Sequence, residues 1–150
     1  MTILLTSDEM MSFRRVMLLF IALLVPTVTA AHHSRVEYFG GEMIEIDGEV
    51  VSVVWRSPHV MFTVQVETAD GFKEWVLEGP GAGSLKQEGL VDGYVSEGEH
   101  VRAAGQRSNR RDDWIRITHI LGPNGTELVF TSGGPRWSTE FLGGNRKVEA

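Results

Sequence analysis

The segment VMFTVQVE, from Val60 to Glu67, alternates apolar and polar residues without a break. Because successive side chains of a strand point to opposite faces of a sheet, this alternation predicts a strand with one buried face, formed by Val60, Phe62, Val64 and Val66. Asp70–Gly71, a dipeptide typical of hairpin turns, leads from it into FKEWVLE. The sequence therefore predicts an antiparallel β hairpin over this part of the chain.

Further strand patterns lie on both sides of this pair. The segment Met43–Trp55 is rich in β-branched residues and contains Asp47–Gly48, which is either a hairpin turn or a glycine bulge in one long strand. The turn RSPH follows it, because Pro58 has no N–H for strand pairing. Two more strands, His100–Gly105 and Trp114–Leu121, precede TELVF.

One short helix is expected between the third and fourth strands. Ser84 is its predicted N-cap, with Gln87 completing a capping box and Gly89 ending the helix. The order of strands and helix predicts a mainly β fold, a small five- to six-stranded OB-like barrel over residues 42–130 with a curved first strand. A small open sandwich with much the same strands is the alternative. Residues 131–150 are Gly-rich and aperiodic, and are expected to form a flexible tail.

The N-terminal region has the parts of a secretory signal. Arg14 and Arg15 precede ten apolar residues, Val16 to Val25, and Pro26 follows them before a small-residue cleavage site. The apolar run is shorter than the about 20 residues of a membrane-spanning helix, so no stable membrane span is expected after cleavage. The pattern predicts a cleaved signal peptide over residues 1–30 and a periplasmic or secreted protein.

Acidic residues before this signal suggest where translation starts. Asp8 and Glu9 are unusual in a positively charged n-region, so we expect the true start to be Met10 or Met11. Residues 31–41 then form an N-terminal leader before the barrel.

Composition limits the partners of the chain. The formal net charge is -6 and no basic run extends beyond Arg110–Arg111, which disfavours nucleic acid. The chain has no cysteine, so disulfides and thiolate ligands are excluded. A transition-metal site would have to use imidazole, amine and carboxylate groups.

Cleavage of the signal would create such a site. A cut after Ala30 or Ala31 leaves His32 and His33 beside a free amine, a nitrogen-rich set that suits Cu(II). We hypothesise a Cu(II) or Zn(II) site that uses His32, His33 and His59, with Glu78 as the fourth ligand or as a group that orients one. The alternative is that His59 caps a turn, Glu78 is solvated and the His-His pair has no role.

The remaining His, Trp and Arg residues divide into core and contact candidates. His100 and His119 have no spacing to a partner and are expected to be ordinary strand residues. Trp55 and Trp75 are expected in the core. The candidates for contact with a ligand or partner are Trp114, Arg110, Arg111 and Trp137. Asp112 and Asp113 offset the charge of the arginines, so a solvated loop is the alternative there.

Several motifs of this chain resemble those of a family of small exported bacterial proteins of unknown function. They are His32-His33-Ser34 behind the signal, Trp55 with Pro58-His59, Trp75 with Glu78, and the pair Ser84-Leu85. Ser57 stands where that family usually has Asn, and Leu90 stands where an aromatic is common. The resemblance covers about Ala31 to Phe130. It implies an exported OB-like barrel and brings no established activity.

The sequence thus predicts an exported single-domain binding or accessory protein. Its expected ligand is copper or zinc at the processed His-His N-terminus; the alternative is a module that contacts an envelope protein or glycan without metal. No Ser/His/Asp order, phosphate-binding glycine loop or paired-carboxylate motif is present, so the sequence does not predict an enzyme. The oligomeric state is left open.

Overall fold

Seven strands and one short helix form the part of the chain that the structure describes. A computed structural model describes residues 37–144, so the predicted signal peptide and His32 and His33 lie outside the described residues. The elements are β1 (Met43–Val54), β2 (Met61–Thr68), β3 (Gly71–Glu78), α1 (Ala82–Gln87), β4 (His100–Arg107), β5 (Trp114–Leu121), β6 (Glu127–Val129) and β7 (Phe141–Gly143).

Five of these strands close into a ring. The first half of β1 pairs with β4 and its second half with β2, so that one strand serves both sides of the barrel. β3 pairs with β2 along its length, and its last three residues pair in parallel with β5, which closes the ring through β4. The predicted OB-like barrel is therefore confirmed, and the open sandwich is wrong.

Gly48 lies inside β1 and does not form a hairpin turn. Gly48 pairs with Val101 of β4, and a Cβ atom on Gly48 would lie 2.3 Å from the carbonyl oxygen of Gln65 in β2. Glycine is needed because the backbones approach too closely for a side chain. The register of β1 shifts between Val50 and Ser52, so β1 is one long strand whose bulge lies beyond Gly48.

The core lies inside the ring. Val60, Phe62 and Val64 of the alternating segment are at most 1% exposed, which confirms its buried face. Trp55 packs edge-to-face on Phe62 with ring centroids 6.2 Å apart, and Trp75 also packs against the core. Both tryptophans are partly buried, so they flank the core rather than lie within it.

The helix begins earlier than its capping pattern predicts. α1 starts at Ala82 with Gly81 as its N-cap, and no side chain caps it, so the prediction of Ser84 is wrong. A Cβ atom on Gly81 would lie 2.6 Å from the carbonyl oxygen of Pro58, because the chain crosses directly over the β1–β2 loop. The predicted stop is confirmed: Gly89 has a φ of +80°, and Leu90 N–H donates to the carbonyl of Leu85 at 2.9 Å.

The segment after Thr131 has more regular structure than its composition indicates. β7 pairs in parallel with β6, so Phe141–Gly143, within the predicted tail, form part of the sheet. Glu127 of β6 is fully buried, and its carboxylate accepts backbone hydrogen bonds from Arg136, Trp137 and Ser138 at 2.6, 2.8 and 2.8 Å. The segment is held through backbone N–H groups, and such contacts do not require apolar side chains at regular positions. The sequence therefore shows no periodic pattern there.

No helix within residues 37–144 has the length and apolar character needed to cross a membrane.

Candidate functional site

His59 lies at the end of the β1–β2 loop, beside the end of β3. Its Nδ1 lies 3.1 Å from the carbonyl oxygen of Gly79 and 3.3 Å from Glu78 Oε1. A carbonyl oxygen can only accept, so we assign the proton to Nδ1, which donates to it. In the neutral ring Nε2 then carries the lone pair, and no group within residues 37–144 hydrogen bonds to it. His59 therefore has one oriented nitrogen and one available nitrogen.

Both carboxylate oxygens of Glu78 are occupied. Oε1 faces the ring of His59, while Oε2 accepts hydrogen bonds from Tyr38 OH at 2.7 Å and from Arg111 Nη2 at 3.4 Å. The residue is only 8% exposed. Of the two roles hypothesised for Glu78, this arrangement favours a group that orients His59 over a direct metal ligand.

Arg111, in the β4–β5 loop, joins the leader to this carboxylate. Its Nε donates to Glu37 Oε1 at 2.6 Å and its Nη2 to Tyr38 OH at 3.2 Å. The guanidinium carbon also lies 3.5 Å from the ring centroid of Trp114. Arg111 and Trp114, predicted as contacts for a partner, thus contact residues of their own chain.

The β4–β5 loop binds residues 37–39 through further hydrogen bonds, and we call this set of contacts the leader clasp. Ser108 Oγ donates to Glu37 Oε1 at 2.6 Å. The backbone N–H of Asn109 donates to the Glu37 carbonyl, and its side chain to the Phe39 carbonyl, both at 3.0 Å. With Arg111, the clasp fixes the point at which the leader reaches the barrel.

The clasp and the buried carboxylate change the acidity of their neighbours. The hydrogen bond from Arg111 lowers the pKa of Glu37, so its carboxylate stays ionised. Burial, and then the hydrogen bond to Glu78, raise the pKa of Tyr38 well above its usual value. Tyr38 therefore remains a hydrogen-bond donor to Glu78 throughout the neutral range.

A small cavity lies beside His59. Its volume is about 80 Å³, and it is lined by Tyr38, His59, Glu78, Gly79, Pro80 and Arg116. One water molecule occupies about 30 Å³ in the liquid, so the cavity has room for two or three water-sized groups. Pockets for larger organic ligands usually measure about 300–1,000 Å³. A metal ion with small ligands fits this size.

The described residues supply only part of a metal site. Within residues 37–144 no group of three or more His, Asp or Glu side chains could hold a metal ion. The structure brings His59 and Glu78 together, whereas the hypothesised ligands His32 and His33 lie outside the described residues. His100 pairs with Asp47, and the ring of His119 packs against Trp137, so neither joins the site.

The other predicted contact residues lie elsewhere. Arg110 is exposed in the β4–β5 loop. Trp137 is half-buried, with the guanidinium groups of Arg102 and Arg136 at 5.0 and 5.7 Å from its ring centroid. Sequence reasoning missed Glu37 and Tyr38. They belong to no motif, and their partners lie in other elements, so the sequence held no signal for them.

Comparison with known proteins identifies the family. The model described as "Family of unknown function (DUF6152)" matches residues 21–114, which is more than half of the chain, and the chain belongs to this family. The match includes His59, Glu78 and Arg111. No curated protein and no solved structure matches the chain.

Proposed function

We propose that this member of the family is an exported binding protein that holds Cu(II) or Zn(II) at its processed N-terminus together with His59. The observation that carries the proposal is the state of the His59 ring. Histidines that bind metals commonly donate their other N–H to a carboxylate or carbonyl, which fixes the tautomer. His59 makes such contacts to Gly79 and Glu78 and keeps Nε2 available.

Covalent geometry supports the participation of the His-His pair. Glu37 is the fourth residue after His33, so their Cα atoms are at most about 14 Å apart. The leader clasp holds Glu37 next to Tyr38, whose hydroxyl contacts the same carboxylate that faces His59. This short link to the leader clasp supports the proposal that His32 and His33 bind the metal together with His59.

Export supplies the remaining nitrogen. We propose that a signal peptide is removed by a cut after Ala30 or Ala31 during export, which frees an α-amine at Ala31 or at His32. Together with imidazoles, an amine and backbone nitrogens form the nitrogen-rich environment that Cu(II) prefers, and imidazoles also suit Zn(II). The absence of cysteine leaves such ligands as the basis of a site.

The test is calorimetric titration of the mature protein, starting at Ala31 or His32, with Cu(II) and with Zn(II). We expect saturable binding of one ion per chain, lost in the His32→Ala/His33→Ala variant. His59→Ala should weaken metal binding by at least about tenfold. Loss of a residue that only orients a metal ligand already costs about that much affinity. His100→Ala is the matched control, because it removes an exposed histidine paired with Asp47 and should leave binding unchanged.

Two results would contradict the proposal. One is the absence of saturable binding of either metal, and the other is binding that the double histidine variant leaves unchanged. Loss of affinity in His59→Ala and in His100→Ala alike would show that the effect is not specific to the site.

An interaction module for an envelope protein or glycan is the second candidate. It is favoured by Phe39 and Phe72, which are 85% and 70% exposed and give apolar contact surface outside the barrel core. Trp137 offers less surface for this role, because it packs against His119 and lies near two arginines. Under this alternative metal has no effect, so the titration separates the two functions.

A further inference from the structure

Arg116 lines the same cavity as His59 and has no partner of opposite charge among residues 37–144. It lies on β5 directly opposite Glu78 in the parallel β3–β5 pair. It is half-buried, yet its side chain makes no hydrogen bond or ion pair with any residue in the described range 37–144. The carboxylate of its neighbour Glu78 is already occupied by Tyr38, His59 and Arg111.

The charges around the cavity leave this guanidinium available to an anion. Glu37 and Glu78 carry negative charge, and both contact Arg111. A partly buried guanidinium without an anionic partner is unfavourable, because burial removes part of its hydration. The planar fork of its N–H groups matches an oxyanion with two oxygens in one plane. A metal ion at His59 would add positive charge and strengthen this preference.

We propose that the cavity takes a small planar oxyanion, a carboxylate or a carbonate, which Arg116 holds beside His59. The volume of about 80 Å³ admits an anion of only a few heavy atoms. If a metal ion binds at His59, the anion would serve as one of its ligands. The role of the anion as a metal ligand rests on the proposed function, whereas the anion site itself does not require the metal.

The first experiment measures how anions change the affinity for zinc. The mature protein is titrated with Zn(II) in chloride buffer alone, with added acetate, and with added bicarbonate. We expect acetate or bicarbonate to raise the zinc affinity of the wild type by about tenfold, as a charge-assisted pair of hydrogen bonds would. Arg116→Gln should abolish this increase. Arg56→Gln removes an exposed charge from the His59 loop, outside the cavity lining, and should retain the increase.

The two anions distinguish the two sources. An increase with bicarbonate alone assigns the site to carbonate, and an increase with acetate assigns it to carboxylates. If zinc binds and neither anion changes its affinity, or if Arg116→Gln shows the same increase as the wild type, the proposed anion role is overturned.

A second experiment tests the anion site without metal. The NMR relaxation of ¹³C-labelled acetate and bicarbonate is measured with metal-free protein, wild type and Arg116→Gln. If either anion relaxes faster with the wild type but not with Arg116→Gln, the site is supported. This result would stand even if the protein did not bind zinc and the proposed function were wrong. Equal relaxation of both anions with the two proteins overturns the site.

Discussion

At the scale of single residues, His59 is defined by what its Nδ1 contacts. Donation from Nδ1 to the Gly79 carbonyl leaves Nε2 unprotonated in the neutral ring, which is the form that binds metals. Glu78 faces the same nitrogen, and Tyr38 and Arg111 hold its other oxygen. The orientation of one imidazole thus depends on three residues from the leader, β3 and the β4–β5 loop.

The first prediction concerns Glu37, which anchors the leader clasp. Glu37→Gln should lower the free energy of unfolding by about 1–2 kcal/mol at neutral pH, because it weakens hydrogen bonds to a charged partner. The hydrogen bond from Arg111 lowers the folded-state pKa of Glu37. A carboxylate of this kind stabilises the fold above its unfolded pKa of about 4.3, and the contribution is lost as the pH falls through the folded pKa.

Urea unfolding of the wild type and of Glu37→Gln measures the free energy of unfolding at neutral pH and at about pH 3. The difference between wild type and variant should shrink at the lower pH. Glu42→Gln is the control, since Glu42 is exposed and its carboxylate has no partner within residues 37–144. A difference that stays constant with pH would show that the charge of Glu37 is not what stabilises the clasp.

At the scale of elements, the strand pair β6–β7 depends on one buried carboxylate. The carboxylate of Glu127 accepts hydrogen bonds from three consecutive backbone N–H groups, those of residues 136 to 138. These bonds hold the segment that leads from β6 to β7. Backbone groups arranged in this way form a concave anion site that one carboxylate fills. The end of the described chain is therefore part of the sheet.

The second prediction is that Glu127→Gln weakens this arrangement. The variant removes the charge and places an amide NH₂ against N–H donors, so we expect a loss of about 2–3 kcal/mol in the free energy of unfolding. Hydrogen exchange at residues 141–143 should also become faster than in the wild type. Glu140→Gln is the control, because Glu140 is exposed. Unchanged exchange in Glu127→Gln would mean that the carboxylate does not hold β7.

At the scale of the whole molecule, the barrel brings three separate regions to one cavity. The β1–β2 loop supplies His59, the end of β3 supplies Glu78, and the leader supplies Tyr38. The parallel pairing of β3 with β5 places Arg116 beside them. The closed ring is thus what assembles the candidate site.

The third prediction tests processing of the whole chain. Intact mass measurement of the exported protein should show a mature N-terminus at Ala31 or His32, and added copper should raise the mass by one ion per chain. A variant with a defective cleavage site, Ala30→Leu/Ala31→Leu, should keep the longer mass and lose the high-affinity copper adduct. A wild-type protein cut elsewhere would remove the free amine from the His-His pair and contradict the proposed site.

Much of the barrel could be predicted because its strands carry local patterns. The sequence predicts Trp114–Leu121 with the bounds that the structure has, and Val60, Phe62 and Val64 of the predicted buried face are buried. Strand alternation and turn dipeptides act within a few residues, so the sequence shows them directly. His59 and Glu78 were also selected from sequence, and the structure places them 3.3 Å apart.

The contacts around these residues could not be predicted in the same way. Tyr38 and Glu78 are 40 residues apart in sequence, and Arg111 and Glu37 are 74 apart. Neither pair has a spacing that a local pattern records. At the helix start, likewise, a Cβ atom on the N-cap Gly81 would lie 2.6 Å from the carbonyl oxygen of Pro58, an approach between residues 23 positions apart that the capping pattern around Ser84 does not record.

The sequence by itself determined strands β1 to β6, the buried face of β2 and the choice of candidate metal ligands, because these follow from the periodicity and chemistry of neighbouring residues. Only the tertiary structure decided the role of Glu78, the docking of residues 37–39 and the position of Arg116 in the cavity. Those features arise where the ring closes between β3 and β5, and a closure of this kind joins residues that are distant in sequence.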